Sequence, residues 1–289
     1  LAQLRRPQPV QEKQTALALR LARMAVGLIL LTAVILMTVL PGSLFATSTS
    51  IPPAAADFHN QIEALPAGGA VLLVVDFDAA FAGELPLAAR PALERLMARQ
   101  MRLVVVSTSP SGLALADEML ARAGAASPGF DLNNNVVWLG YLPGGATGAR
   151  QFAAAPRSLT GTEDAWLSPA LNGITRLQDF SAVLLLSDSL EGAQMWIEQT
   201  SGQMGSAPLL AVTSAQAAPV LNAYYRSGQL RGMLEGIPAA AAYGTLIGKP
   251  VASAAWWNAY QAGLLVLLAA VVLGGLWQLI GRLTRKKAS

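Results

Sequence analysis

An α/β fold built on a parallel sheet is what this sequence predicts, and three observations carry it. Short apolar runs without alternation recur through the middle of the chain, among them VLLVVDF (71–77), RLVVVSTS (102–109), SAVLLLSDS (181–189) and APLLAVTSA (207–215). Such runs read as strands buried on both faces, the pattern of a parallel sheet covered by helices. Stretches of helical period alternate with them, as a sheet with helices on both faces requires. Finally, each run ends in aspartate, serine, threonine or glycine. In open α/β sheets, ligands sit at the carboxyl ends of the strands.

The chain opens with a basic segment, residues 1–23, carrying Arg5, Arg6, Lys13, Arg20 and Arg23. No charge then occurs before Asp57, and 24–40 is almost wholly apolar, so it is expected to be an uncleaved transmembrane helix ended by Pro41-Gly42. A signal peptide is the alternative, but the apolar core is long for one and no clean cleavage site follows. Methionine is absent before Met24, and residues are expected upstream of Leu1. A linker rich in Ser, Thr, Pro and Ala is expected over 41–60, with the lone histidine, His59, exposed within it.

Residues 61–250 read as the α/β domain. After the first strand, 86–100 is amphipathic, with Leu93, Leu96 and Met97 on one face. The second strand (102–109) leads to the helix LALADEMLARAG (113–124), which Gly124 is expected to stop. NVVWLGYLPGG (135–145) is a third strand, and the interval 149–179 is too long for a plain connection and should hold an excursion or extra helices lying over one edge of the sheet. The fourth and fifth strands flank the helix LEGAQMWIEQT (190–200). The whole reads as a Rossmann-like sheet of about five strands with flanking helices, anchored by one transmembrane helix at each end. The second anchor, 254–281, is free of charge, and Trp256, Trp257 and Trp277 bracket it as interfacial aromatics do. A basic tail, 282–289, follows.

Charged residues are only 13% of the chain, against a usual share of roughly 25%. The net charge of +3 conceals a segregation, because the part between the two apolar runs holds 11 basic and 16 acidic residues. That balance excludes a basic nucleic-acid-binding surface there. Basic flanks outside both spans place both termini in the cytoplasm and the central domain outside it. Without cysteine, disulfide and thiol chemistry are excluded. The expected partners are the lipid bilayer and other membrane-protein subunits or further copies of the chain.

The candidate ligand pocket gathers Asp76, Asp78, Ser107, Thr108, Gly144, Gly145 and Asp188 at the strand ends. The order of Asp76, Asp78, Ser107 or Thr108, and Asp188 resembles the haloacid-dehalogenase-like phosphatases. That resemblance implies a carboxylate nucleophile and acid at the first strand end, a hydroxyl after the second, and a magnesium-binding aspartate after the fourth. It departs in three places. No lysine but Lys249 stands in the domain, Ala80 occupies a position usually Thr or Val, and the late acid is single save for Glu191. Arg150 or Arg157 are the substitutes available for the missing lysine. The glycines of LGYLPGGATG (139–148) match neither dinucleotide-binding nor P-loop spacing, so no cofactor is expected, and no residue is assigned as catalytic or as a metal ligand.

Gly228, Gly232 and Gly236 recur at intervals of four and, on a helix, would form a close-packing stripe. Packing inside the domain and a sequence of turns are the other readings. Together with Ala270 and Gly274 in the second span, they are the candidate interface. The same region, with Tyr224-Tyr225, SGQL (227–230) and AAY (241–243), the WLGYLPGG loop (138–145), and Asp76, Asp78 and Glu84, resembles a group of prokaryotic two-span membrane proteins that brings no activity with it. Gly244 stands where that group usually has Glu. Two functions follow as expectations: a membrane-anchored accessory or scaffold subunit binding a partner or small ligand, or a metal-dependent phosphohydrolase.

Overall fold

The computed structural model describes residues 10–39, 51–81, 83–158, 163–248 and 252–287. It divides the chain into two units, one holding the two long terminal helices and the other the globular part between them. The first half of the expected linker, residues 41–50, and Lys249 lie outside the described residues.

In the helical unit, α1 runs over Val10–Val39, so the helix starts well inside the basic segment expected to precede it. Its apolar part, Leu21–Met37, is 17 residues, and a spanning helix needs about 20. The last helix of the chain, Ala252–Lys287, contains Asn258–Leu276, 19 residues of mean hydropathy 2.0. Among the described residues it is the one helix long and apolar enough to cross a membrane.

The globular unit begins with α2 (Pro53–Ala64), where the sequence suggested linker. Pro53 fits the first turn because its missing N–H would be unpaired there anyway. Ala54, Ala55, Phe58 and Ile62 are buried, so the segment belongs to the core and the domain starts earlier than residue 61. His59 is half-buried rather than exposed, its ring edge-on to Tyr243 at 5.8 Å.

Then strands and helices alternate: β1 (Ala70–Asp76), α3 (Leu85–Ala98), β2 (Arg102–Ser107), α4 (Gly112–Ala125), the one-turn α5 (Leu132–Asn135), and β3 (Val136–Tyr141). After α6 (Ala146–Ala154), the long interval holds short 3-10 turns and the one-turn α7 (Glu163–Trp166), an excursion as expected. Arg157 organises it, donating to the Ile174 carbonyl at 2.9 Å and lying over the Trp166 ring. β4 (Ala182–Ser187), α8 (Leu190–Thr200), β5 (Leu209–Thr213) and α9 (Ala218–Arg226) follow, then β6 (Gly232–Glu235) and α10 (Gly236–Leu246); the terminal helix Ala252–Lys287 is α11.

All six strands are parallel, in the order β3-β2-β1-β4-β5-β6. The sheet thus has one strand more than the apolar runs announced. Along β1 every residue is buried, and the pleat sends alternate side chains to opposite faces. Val71, Leu73 and Val75 share a core with α2, α3, α4 and α10 through Phe58, Leu93, Leu120 and Tyr243. Leu72 and Val74 share the other core with Phe152, Trp196, Ile197 and Leu221 of α6, α8 and α9. Two cores therefore clamp one sheet.

The glycine stripe is not a helix. Gly228 follows the end of α9 with φ +80°, Gly232 opens β6, and Gly236, φ +64°, joins β6 to α10. At Gly232, a Cβ would stand 2.4 Å from both the backbone N and the Cα of Phe58, so α2 lies directly on the strand. Gly232 and Gly236 are buried in packing within the domain. Ala270 and Gly274 both lie in α11, and Gly274 has open space around it.

Backbone cannot move aside as a flexible side chain can. Gly232→Ala is therefore expected to destabilise the globular unit by about 2–3 kcal/mol, lowering its thermal midpoint by roughly 5–10 °C in circular dichroism. Gly274→Ala, with nothing near it, should leave the midpoint unchanged.

Candidate functional site

The chain runs from β1 outward to β2 and β3, then returns to the other side of β1 to build β4, β5 and β6. At such a reversal the connections leave β1 and β4 in opposite directions and a crevice opens at their carboxyl ends. Asp76 is the last residue of β1, and its register partner across that crevice is Ser187, the last of β4. A pocket of about 470 Å³ lies there, with Asp76, Asp78, Thr108, Asp188, Glu191 and Met195 among its walls.

Asp76 is the organising side chain. Its Oδ1 accepts from the Thr108 amide at 2.6 Å and the Ser109 amide at 3.0 Å. Its Oδ2 accepts from the Trp196 indole N–H at 2.6 Å and from the Thr108 hydroxyl. Ser107 Oγ is also 3.1 Å from Oδ1, but its single hydrogen has a nearer acceptor in the Val75 carbonyl at 2.6 Å. An ionised carboxylate offers about four lone-pair sites, and these four donors occupy them. Charge-assisted hydrogen bonds of this kind contribute about 1.5–3 kcal/mol each, which offsets the cost of burying Asp76 at 6% exposure.

Asp188 is as deeply buried, and its Oδ2 accepts from the Asp78 amide at 2.9 Å, closing the loop after β1 onto the loop after β4. Burial raises the Asp188 carboxyl above the ordinary aspartate range, and the nearby Asp78 and Asp76 charges push it the same way. Ser214 on the next strand end donates to the Asp188 carbonyl at 2.8 Å and holds that loop from behind. Asp78 itself is exposed at the mouth.

Five of the residues expected at the strand ends thus come together: Asp76, Asp78, Thr108 and Asp188 on the pocket wall, with Ser107 buried behind it. Gly144 and Gly145 do not join them. They start α6 after β3, two strands from the crevice, and hold positive φ of 93° and 52° that glycine tolerates. Neither substitute for a lysine clamp lines the pocket: Arg157 is bound to the excursion and Arg150 is exposed elsewhere. The walls carry four carboxylates and no lysine or arginine. Among the described residues, no three His, Cys, Asp or Glu side chains are grouped to hold a metal ion.

Trp196 and Met195 were not anticipated at the site. Trp196 read as one more apolar residue of α8, and only the buried indole N–H, which needs an acceptor, hints at a carboxylate beside it. Glu84, noted in the sequence for its place after the two aspartates, begins α3 and accepts from the Ala215 amide at 2.9 Å, fastening that helix to the loop after β5. Comparison with known protein families, curated proteins and solved structures finds no match to this chain.

The raised Asp188 carboxyl has a sign consequence. A folded-state value above the unfolded one means the folded state holds the proton more tightly, so stability falls as pH rises from the ordinary aspartate range through the raised value. Asp188→Asn keeps an acceptor for the Asp78 amide and removes the charge. It is expected to raise the denaturant midpoint at pH 7, with the gain shrinking toward pH 3; an equal effect at both pH values would contradict the burial account.

Proposed function

We propose that the chain is a membrane-anchored accessory subunit, with a non-catalytic α/β domain outside the cytoplasm that binds a partner protein or small ligand. One observation carries the non-catalytic half of this reading: the Asp76 carboxylate, the nucleophile of any phosphohydrolase reading, already accepts from four donors of its own chain. A nucleophile needs a free lone pair aimed at the reacting atom. Here the carboxylate ties β1 to the loop after β2 and to α8. The pocket's lining supports the same conclusion, because it offers no lysine or arginine to clamp the oxygens of a phosphate ester. A ligand suited to such walls carries a positive charge or N–H donors.

The anchoring half rests on the apolar window of α11, the apolar stretch of α1 and the basic residues outside both. Basic residues just outside both apolar stretches fit an exported domain under the positive-inside rule.

The phosphohydrolase alternative retains one point in its favour, the convergence of Asp76, Asp78, Thr108 and Asp188 on one crevice. Asp76→Asn is a poor sole test, since an amide N–H₂ among N–H donors would unsettle the fold. Asp78→Asn alters an exposed side chain and leaves the scaffold in place. The full chain in mild detergent is expected to show no magnesium-dependent hydrolysis of p-nitrophenyl phosphate above that of Asp78→Asn. Turnover that disappears in Asp78→Asn while the melting profile is kept would establish the enzyme instead. For topology, protease added to intact cells with the outer barrier opened should cleave within residues 51–248. Cleavage restricted to the two ends would place the domain in the cytoplasm.

A further inference from the structure

A second concavity lies away from the strand-end crevice, at the amino ends of β5 and β6. A pocket of about 420 Å³ there is lined by Asp57, Gln61, Tyr225, Arg226, Gly228, Leu230 and Arg231. A smaller one of about 200 Å³ adjoins it, sharing Gly228 and Arg231 and adding Ser201, Ser227 and Gln229. The connection between α9 and β6, the SGQL segment of the sequence, is the wall common to both.

The arginines here differ from others of the domain. Arg90, Arg95, Arg99 and Arg122 are paired with glutamates, and Arg102 and Arg157 donate to backbone carbonyls. Arg226 and Arg231 are exposed, and among the described residues neither guanidinium has a hydrogen-bond or ion-pair partner. The carboxylate that could neutralise them, Asp57, is engaged by the Tyr225 hydroxyl at 2.6 Å. That bond, with burial and the Asp57 charge behind it, pushes the Tyr225 phenol up to about 12, so the phenol keeps its proton at neutral pH and goes on holding Asp57. The Ser227 hydroxyl donates to the Tyr224 carbonyl at 3.0 Å, and Gln229 is exposed on the groove wall with an amide N–H₂ able to donate. Gly228 sits between the two pockets at φ +80° with nothing within 4 Å of where a Cβ would stand, so a side chain there would project into open groove.

Two uncommitted guanidiniums, free amide donors and a glycine floor make a donor-rich groove with a net positive charge. Planar guanidinium forks match phosphate oxygens in pairs. We propose that this groove binds a phosphate monoester group, with Arg226 and Arg231 as the clamp and Gln229 and Gln61 as neutral donors. It is separate from the acidic crevice at the other ends of the strands and does not depend on what that crevice binds.

The test uses the full chain in nonionic detergent and two probes, glycerol 3-phosphate in solution and micelles doped with phosphatidic acid, against micelles doped with phosphatidylcholine. Saturable binding followed by phosphorus NMR is expected, and Arg231→Gln or Arg226→Gln should weaken it about tenfold or more, with the melting profile unchanged. Arg150→Gln, at an exposed site outside the groove, should leave it intact. Binding of both probes assigns the phosphate group itself, and binding of the doped micelles alone assigns a lipid headgroup; either supports the groove. Absence of saturable binding to both, or an equal loss in Arg150→Gln, would overturn it.

Discussion

The Asp76 carboxylate receives hydrogen bonds from two parts of the chain that are far apart in sequence: the loop after the neighbouring strand, at Thr108 and Ser109, and the indole of Trp196 in α8. β1 is the centre of the sheet, α8 lies on one face, and the β2–α4 turn covers the carboxyl edge. One buried charge thus fixes a strand, a loop and a helix against each other, and each of those elements in turn walls the crevice. Removing one donor would leave a buried lone pair unsatisfied, which costs more than the bond itself contributes. The arrangement holds because all four donors are present together.

That constraint also separates form from chemistry at the site. A sheet that reverses direction beside β1 produces a crevice whatever its sequence, and strand-end side chains necessarily point near it. What such a crevice does is decided by which groups remain uncommitted. Here Asp76 is spent on architecture, Asp188 is half spent on the Asp78 amide, and Asp78 and Glu191 remain at the mouth. Convergence of familiar residue types is therefore a weaker indicator than the state of their lone pairs.

Most strands were legible because burial on both faces demands an uninterrupted apolar run, as in Ala70–Asp76 and Ala182–Ser187. β6 was hidden because it is four residues long and starts with a glycine, so it carries two apolar side chains and no run. α2 was hidden for another reason: its buried face is largely alanine, which in a segment with Ser, Thr and Pro resembles linker composition. Only Phe58 and Ile62, four apart, carry the helical period. At the crevice, the strand-end residues could be read from their positions after apolar runs. Trp196 could not, because its role depends on α8 packing over β1, and helix-to-strand docking leaves no local mark. Gly144 and Gly145 failed as pocket residues through strand order alone: β3 stands at one edge of the sheet, two strands from β1, and consecutive strands stand about 4.8 Å apart.

The helix that brings the chain into the globular unit, α2, and the helix that takes it out, α10, pack on each other through Phe58 and Tyr243, rings edge-on at 5.5 Å. Both also flank β6, the strand at the margin of the sheet. The domain's two ends are thus fastened together before the chain leaves it. If the two ends of the domain were pulled apart, tension would fall first on this pair and on the marginal strand, and would have to part them before reaching β1. Held this way, the fold is a loop closed at its neck, with the closure at the sheet's edge and the crevice at its centre.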